Sequence, residues 1–347
     1  MVSGMDLEQQ FLALVGIVEG LQKKVHQLEA ENKVLIRGHK QLLEWAELNQ
    51  QDNAHFQENA VYELQDAIAQ PSNTYFPRIL GGESAIEEIV THGKSLARFG
   101  DGEFAAIAGR IRHKFQTELD KTLQEKLQAV LQSENERLLV GIADNYGSLE
   151  KYTEQTRREI RAYLTPSVRK EHLGLLNPHK AYYDAYVTRP YVIYQDNRTD
   201  APQVRFANLK KIWEGRDCIF VEGKMTGLGV GNDLFHNANS IRRILAPAEN
   251  AFSRYQEILT ACLRQNKDNL FLLALGPTAT VLASDLCEAG CQAVDIGHAD
   301  LEYEWFLKGR GHRVPIEGKY NNEIGTDQPI IPIEDKTYLS QVIADFS

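Results

Sequence analysis

Leucine stands at every seventh position from Leu7 to Leu42, and Phe11, Val18, Val25, Asn32 and His39 fall between at alternating four-and-three spacing. That is a heptad seam with leucine at d, and it predicts a coiled-coil helix over residues 1–50. β-Branched valine at a with leucine at d favours two parallel strands, and Asn32 at a would fix the register against its symmetry mate. Lys24 at g and Glu29 at the following e add a cross-helix ion pair to that homo-oligomer. Val15, Ile17, Ile36 and Leu43 sit at e or g and widen the apolar face, which leaves a higher-order assembly, or packing of this helix onto the rest of the chain, open. Beyond Gln50 the pattern turns polar, and residues 51–77, ending in Gln70-Pro-Ser-Asn-Thr-Tyr-Phe-Pro77, read as a linker.

From residue 78 to 347 the pattern changes to short β-rich runs separated by helical stretches. The predicted strands are Leu96 to Phe99, Leu138 to Ile142, Cys218 to Val221, Ile241 to Leu245, Leu270 to Leu275 and Ala293 to Ile296. Alternation of this kind predicts an α/β domain with a mostly parallel sheet flanked by helices. The tyrosine- and arginine-rich stretch from Lys151 to Arg216 interrupts the rhythm and is expected to form a helical insertion or a wall facing an acceptor.

Composition narrows the function. The chain has 347 residues, 43% of them hydrophobic, and a formal charge of −10. The acidic balance and scattered basic residues argue against a DNA or RNA partner. There is no basic segment followed by an apolar core at the start, and no run approaches the roughly 18 uncharged apolar residues of a membrane span. A cytoplasmic protein is expected, at most peripheral at the inner membrane face. Cys218, Cys262, Cys287 and Cys291 lack paired metal-binding spacing and are expected to be reduced, buried thiols.

In an open parallel sheet, ligands bind outside the carboxyl ends of the strands. The loop after the first long strand holds Asp101 and Glu103 either side of Gly102; such a pair can turn toward one hard cation and leave positions for phosphate oxygens and water. Both acids equally suit the first turn of a helix, where they favour the dipole. Arg98, Phe99 and Gly100 precede them, and Asn145, Asn232 and Asp233 follow other strands. Gly276-Pro277-Thr278-Ala279 joins a strand to a helix, where free amides can hold a phosphate or base edge, or a threonine can act as cap. His298, Asp300, Glu302 and Glu304 close the set; in a helix Asp300 and Glu304 share a face, and a carboxylate facing the crevice could serve as general base. Gly227, Gly229 and Gly231 follow a strand without the spacing of the dinucleotide fingerprint.

The phrases Arg98-Phe-Gly-Asp-Gly-Glu103, Gly227-Leu-Gly-Val-Gly-Asn-Asp-Leu-Phe235, Ala274-Leu-Gly-Pro-Thr-Ala-Thr-Val-Leu-Ala283 and Asp295-Ile-Gly-His-Ala-Asp-Leu-Glu-Tyr-Glu-Trp305, in that order, resemble the bacterial GT-D-type glycosyltransferases over roughly Phe76 to Glu323. The resemblance implies a Rossmann-like catalytic domain, with Asp101 and Glu103 as an Asp-x-Glu motif supporting Mn²⁺ or Mg²⁺ beside the diphosphate of a UDP-sugar, UDP-glucose above all. It implies transfer to a glycan or glycoprotein acceptor of the bacterial surface, with Glu304 as base and Asp300 or Glu302 as alternatives; direct displacement helped by that base would invert the anomeric centre, and a retaining arrangement stays open. Related sequences carry arginine where Gly227 stands, so the resemblance leaves its charge to come from Lys224 or Arg98. Two other readings stay open: a non-catalytic nucleotide-sugar-binding scaffold that recruits an enzyme through its coiled coil, and a nicotinamide-dependent oxidoreductase, disfavoured by the glycine spacing.

Overall fold

The computed structural model describes residues 4–68, 76–111, 115–321 and 333–347. It opens on one helix, α1 (Gly4–Ile68). The chain divides into two units, the first ending at Glu58 and the second running from Asn59 to Ser347. Along the first unit Leu14, Leu21, Leu28, Leu35 and Leu42 are all exposed. The helix does not give way to a linker after residue 50, because nothing between 51 and 68 breaks a helix; Gln70 and Pro71 lie outside the described residues. Its last turns belong to the second unit, where Glu63 pairs with Arg161 at 2.8 Å and the Arg169 guanidinium lies 4.0 Å from the Tyr62 ring centre.

The second unit continues through β1 (Arg78–Leu80), α2 (Gly82–His92), β2 (Ser95–Phe99), α3 (Asp101–Ile107), α4 (Lys121–Leu131) and β3 (Leu138–Ile142). Then come α5 (Glu154–Tyr163), α6 (Pro166–Leu175), β4 (Ala181–Asp184), α7 (Ala201–Lys210), β5 (Asp217–Gly223) and β6 (Ser240–Ala246). The chain ends with α8 (Tyr255–Leu263), β7 (Leu270–Ala274), α9 (Pro277–Glu288), β8 (Gln292–Asp295), α10 (Ala299–Leu307), α11 (Lys336–Gln341) and β9 (Val342–Asp345).

These strands form one sheet in the order β1-β4-β3-β2-β8-β7-β5-β6-β9, and every pairing is parallel. The six predicted strands are all present. β1, β4 and β9 were not expected: each has three or four residues, and Tyr182 and Asp184 of β4 carry no continuous apolar run. β4 also means that 151–216 is more than a helical insertion, since it supplies an inner strand of the sheet. Central strands are buried on both faces and read as unbroken apolar runs, as in Leu270-Phe-Leu-Leu273. Phe99, Phe220, Phe271, Trp213 and Trp305 are fully buried, each stabilising the fold by about 1.5–3 kcal/mol. All four cysteines are buried and reduced. Among the described residues no helix is long and apolar enough to cross a membrane.

β2 runs on toward β3, while the chain enters β8 from β7 on the other side, so the strand order reverses between β2 and β8. A crevice opens at such a point. Between β5 and β6 there is no helix; Gly227, Gly229 and Gly231 take φ of 60°, 73° and 82° in a run of turns. A dinucleotide fold needs a helix N-terminus there, which removes the oxidoreductase reading.

Asp184, at the carboxyl end of β4, is buried, and burial together with the Asp144 charge pushes its carboxyl up to about 6. The folded chain therefore holds this proton more tightly than the unfolded one, favouring folding below about pH 4 and progressively less as pH rises through about 6. Asp184→Asn should gain stability over wild type as pH rises, by about 2–3 kcal/mol at about pH 8 and near zero at about pH 4. Urea unfolding at the two pH values checks this, and a pH-independent difference would contradict it.

Candidate active site

The reversal point is held by one side chain. β2 and β8 share a single paired register, Leu96 with Val294, and Arg98 completes the junction. Its Nε donates to the Asp295 carbonyl at 2.8 Å, one terminal nitrogen to Asp295 Oδ1 at 2.6 Å and the other to the Ala185 carbonyl at 3.4 Å. Thr280 of α9 donates its hydroxyl to the Arg98 carbonyl at 2.9 Å, which ties the helix after β7 to the same place. Gly297 takes φ of +46°, and a Cβ there would stand 1.9 Å from the Arg98 guanidinium. Only glycine fits beneath that arginine.

Over this junction lies a cavity of 720 Å³. Asp101, Gly102 and Glu103 enter it from the first turn of α3, Gly276 and Pro277 from the start of α9, and His298 and Asp300 from the start of α10. Glu103 Oε2 accepts from the Gly100 amide at 2.8 Å and Asp101 Oδ1 from the Gly102 amide at 3.0 Å. The helix-start reading of these acids is thus realised, and it aims them rather than removing them from the cavity. Burial, with Asp295 and Asp101 close by, pushes the Glu103 carboxyl above its usual range although the Gly100 amide opposes this. Two hard oxygen donors in an acidic field suit a divalent cation. No third His, Cys, Asp or Glu completes a metal cluster among the described residues, so phosphate and water would fill the other positions, as is usual for Mg²⁺.

Other expected site residues divide. Arg98, Phe99, Gly100 and Asn145 line the cavity, and Asn145 donates to the Tyr186 hydroxyl at 3.3 Å. Phe99 is fully buried and packs against Phe104. Thr278 and Ala279 are buried away from the cavity lining, and the Ala279 amide bonds the Gly276 carbonyl at 2.9 Å, closing the turn that was expected to offer it to a ligand. Asn232 and Asp233 also lie off the cavity. Asn232 donates to Asp300 Oδ1 and Glu304 Oε1, both at 2.8 Å, while Asp233 is exposed and accepts from the Tyr303 hydroxyl at 2.7 Å.

Asp300 and Glu304 do share a face of α10, but only Asp300 lines the cavity. Asp300 accepts from the Gly229 amide at 2.9 Å and from Lys319 at 2.6 Å. Although burial alone would raise it, the Asn232 amide, Lys319 and Lys308 hold the Glu304 carboxyl below its usual range. Glu302 turns to the opposite side and accepts from the Tyr191 and Val192 amides at 3.1 and 2.9 Å. The helical period separates these faces correctly, yet it does not say which face meets the cavity.

Of the two residues expected to supply the charge absent at Gly227, Lys224 lies off the cavity and pairs with Asp345 and Ser347, while Arg98 lines the cavity with its guanidinium on Asp295. Among the described residues the cavity's other cations are Arg189, 3.3 Å from His298 Nδ1, and Arg313. Arg189, Lys319 and His172 escaped the sequence reading because they sit in stretches without a local motif. Lys319 is buried, and burial brings the His172 imidazole down to about 4.

A family model for the glycosyltransferase GT-D fold matches residues 96–324. The chain belongs to this family. It is 36% identical over 302 residues to "Probable glycosyl transferase Gly" of Streptococcus gordonii, covering 85% of this chain and 42% of that protein. It is 35% identical over 269 residues to "Glycosyltransferase GlyD" of Streptococcus pneumoniae, covering 77% of this chain and 32% of that one. The chain thus spans less than half the length of these curated relatives. Among solved structures, a glycosyltransferase (DUF1792) from Streptococcus sanguinis superposes with a TM-score of 0.73 at 35% identity, covering 78% of this chain and all (100%) of that one. A DUF1792 structure described as having a distinct glycosyltransferase fold gives 0.71 at 33% identity, covering 78% and 96%. The GT-D region contains both sides of the β2–β8 junction.

Gly297→Ala should force Arg98 off Asp295 in this GT-D domain, leaving a buried carboxylate without its partner at a cost of about 3–5 kcal/mol. Thermal or urea unfolding checks this, with Gly81→Ala, whose Cβ meets nothing within 4 Å, as control; equal stability of both variants would contradict it.

Proposed function

We propose that this GT-D chain is a metal-dependent hexosyltransferase that moves a sugar, glucose favoured, from a UDP-sugar to a glycan or glycoprotein acceptor in bacterial surface glycan synthesis. The observation that carries the reading is the convergence of Asp101, Glu103, Gly276, Pro277 and Asp300 on one cavity at the strand reversal. Asp101 and Glu103 would hold Mn²⁺ or Mg²⁺. The chemistry supplied by that ion is neutralisation of the charge building on the departing diphosphate. The start of α9, with Pro277 at its first position, directs helix-dipole charge toward the same side of the cavity.

In the transfer step the acceptor oxygen bonds the sugar's anomeric carbon as the bond from that carbon to the β-phosphate oxygen breaks, and the electron pair leaves with UDP. Asp300, the member of the Asp300–Lys319–Glu304 cluster that faces the cavity, takes the hydroxyl proton. Attack opposite the leaving group inverts the anomeric centre. The exposed heptad leucines of α1 support pairing with a second copy as a parallel coiled coil, with Asn32 facing Asn32. On this reading the enzyme works at the cytoplasmic face of the membrane.

UDP release measured with Mn²⁺ and acceptor should fall at least about 100-fold in Asp101→Asn and Glu103→Gln, with melting temperature retained. Asp300→Asn should lose about 10²–10⁴-fold in kcat, more than Glu304→Gln. Full turnover in the first pair would contradict the metal assignment, and the opposite ranking in the second would move the base to Glu304.

A further inference from the structure

One wall of the cavity is not used by the donor chemistry proposed above. It is built mainly by α5, whose Thr156, Glu159, Ile160 and Tyr163 all line the cavity. Steps of three and four residues place them on one helix face. Tyr163 is fixed in orientation: its hydroxyl meets His172 Nε2 at 3.0 Å, and His172 Nδ1 meets the Tyr146 hydroxyl at 2.9 Å. The imidazole is stacked on Phe104 at 3.9 Å between ring centres. Phe104 belongs to α3, the helix that carries Asp101 and Glu103, so this wall is registered against the carboxylate pair. At the outer edge Glu159 is exposed and pairs with Arg313 at 2.8 Å, and both side chains line the cavity.

A preoriented tyrosine beside an isoleucine, with a carboxylate and a guanidinium at the mouth, has the make-up of a site for a small polar molecule with an apolar face. Each hydroxyl of a sugar both donates and accepts a hydrogen bond. Glu159 only accepts and Arg313 only donates, so together they satisfy neighbouring hydroxyls as neither could alone. A peptide that adds to a sheet would need an unpaired strand edge, and this wall is a helix face.

We propose that the α5 wall is the acceptor subsite of this enzyme and receives the terminal pyranose of a glycan, its ring against Tyr163 and Ile160 and its hydroxyls on the Glu159–Arg313 pair. This assignment rests on the transferase reading given above. Arg313 reaches the wall from the segment after α10, which also carries Lys319 to Asp300. The acceptor hydroxyl and the proton-accepting carboxylate are thereby set by one stretch of chain.

The test uses the full chain with Mn²⁺, a UDP-sugar, a panel of alkyl pyranosides and an unglycosylated Ser/Thr peptide, comparing wild type with Glu159→Gln, Arg313→Met and Tyr163→Leu. The KM for the pyranoside should rise at least about tenfold in each variant, the scale of one charged hydrogen bond lost. The KM for the UDP-sugar should stay within about twofold, which a general loss of structure would not produce. Variants that raise the donor KM instead, or neither KM, overturn the assignment, as does a wild-type preference for the bare peptide over every pyranoside. A wild-type chain that releases no UDP from any donor overturns the transferase reading itself, and is seen before any variant is compared.

Discussion

The architecture of this domain turns on the Arg98–Asp295 pair. At a strand reversal the two central strands diverge, and here they share one paired register before the crevice opens. The backbone groups beyond it need partners. Arg98 supplies them from a side chain, bridging β8 and the end of β4 at once. Because the guanidinium occupies the space under the next turn, residue 297 has to be glycine. The loop from Gly100 to Glu103 and the turn from Gly297 to Asp300 are then held at fixed separation around one cavity. A buried pair of this kind contributes little net stability by itself; its consequence is geometric definition.

The same economy of charge governs the rest of the site. Arg243 is paired with Glu222 beneath the glycine turns, and its other terminal nitrogen donates to the Leu228 carbonyl at 3.0 Å. Lys319 sits between Asp300 and Glu304. Asp101 and Glu103, by contrast, accept from the amides of their own loop. Burial and neighbouring carboxylates raise the Glu103 carboxyl, and a divalent ion with a diphosphate would relieve that field. The sheet thus sets its acid pair at the place where, on the proposed reading, a divalent ion would sit.

Much of this is legible in sequence for a local reason. Strands such as Leu270 to Ala274 are buried on both faces, so they appear as unbroken apolar runs, and the loops that follow them are marked by position alone. Asp101, Glu103, Gly276, Pro277 and Asp300 follow from that rule. What escaped is long-range. β4 hides among tyrosines, α1 runs on through a polar stretch that lacks a breaker, and Lys319 reaches its carboxylates from an unpatterned segment. Glu304 shows the limit most clearly: the helical period places it beside Asp300, but one turn further along α10 its carboxylate meets Asn232 and Lys319 and not the cavity. Thr278 and Ala279 illustrate the same point, since a strand-to-helix turn fixes where amides lie and not whether the turn itself uses them.

The central claim is that the acid pair accepts a nucleoside diphosphate only together with a divalent cation. Isothermal titration of UDP into the full chain, once with Mn²⁺ and once with chelator, tests it without any acceptor. The account predicts binding at least about tenfold tighter with Mn²⁺, a coupling of roughly 1.4 kcal/mol or more. Equal affinity in the two titrations would contradict it.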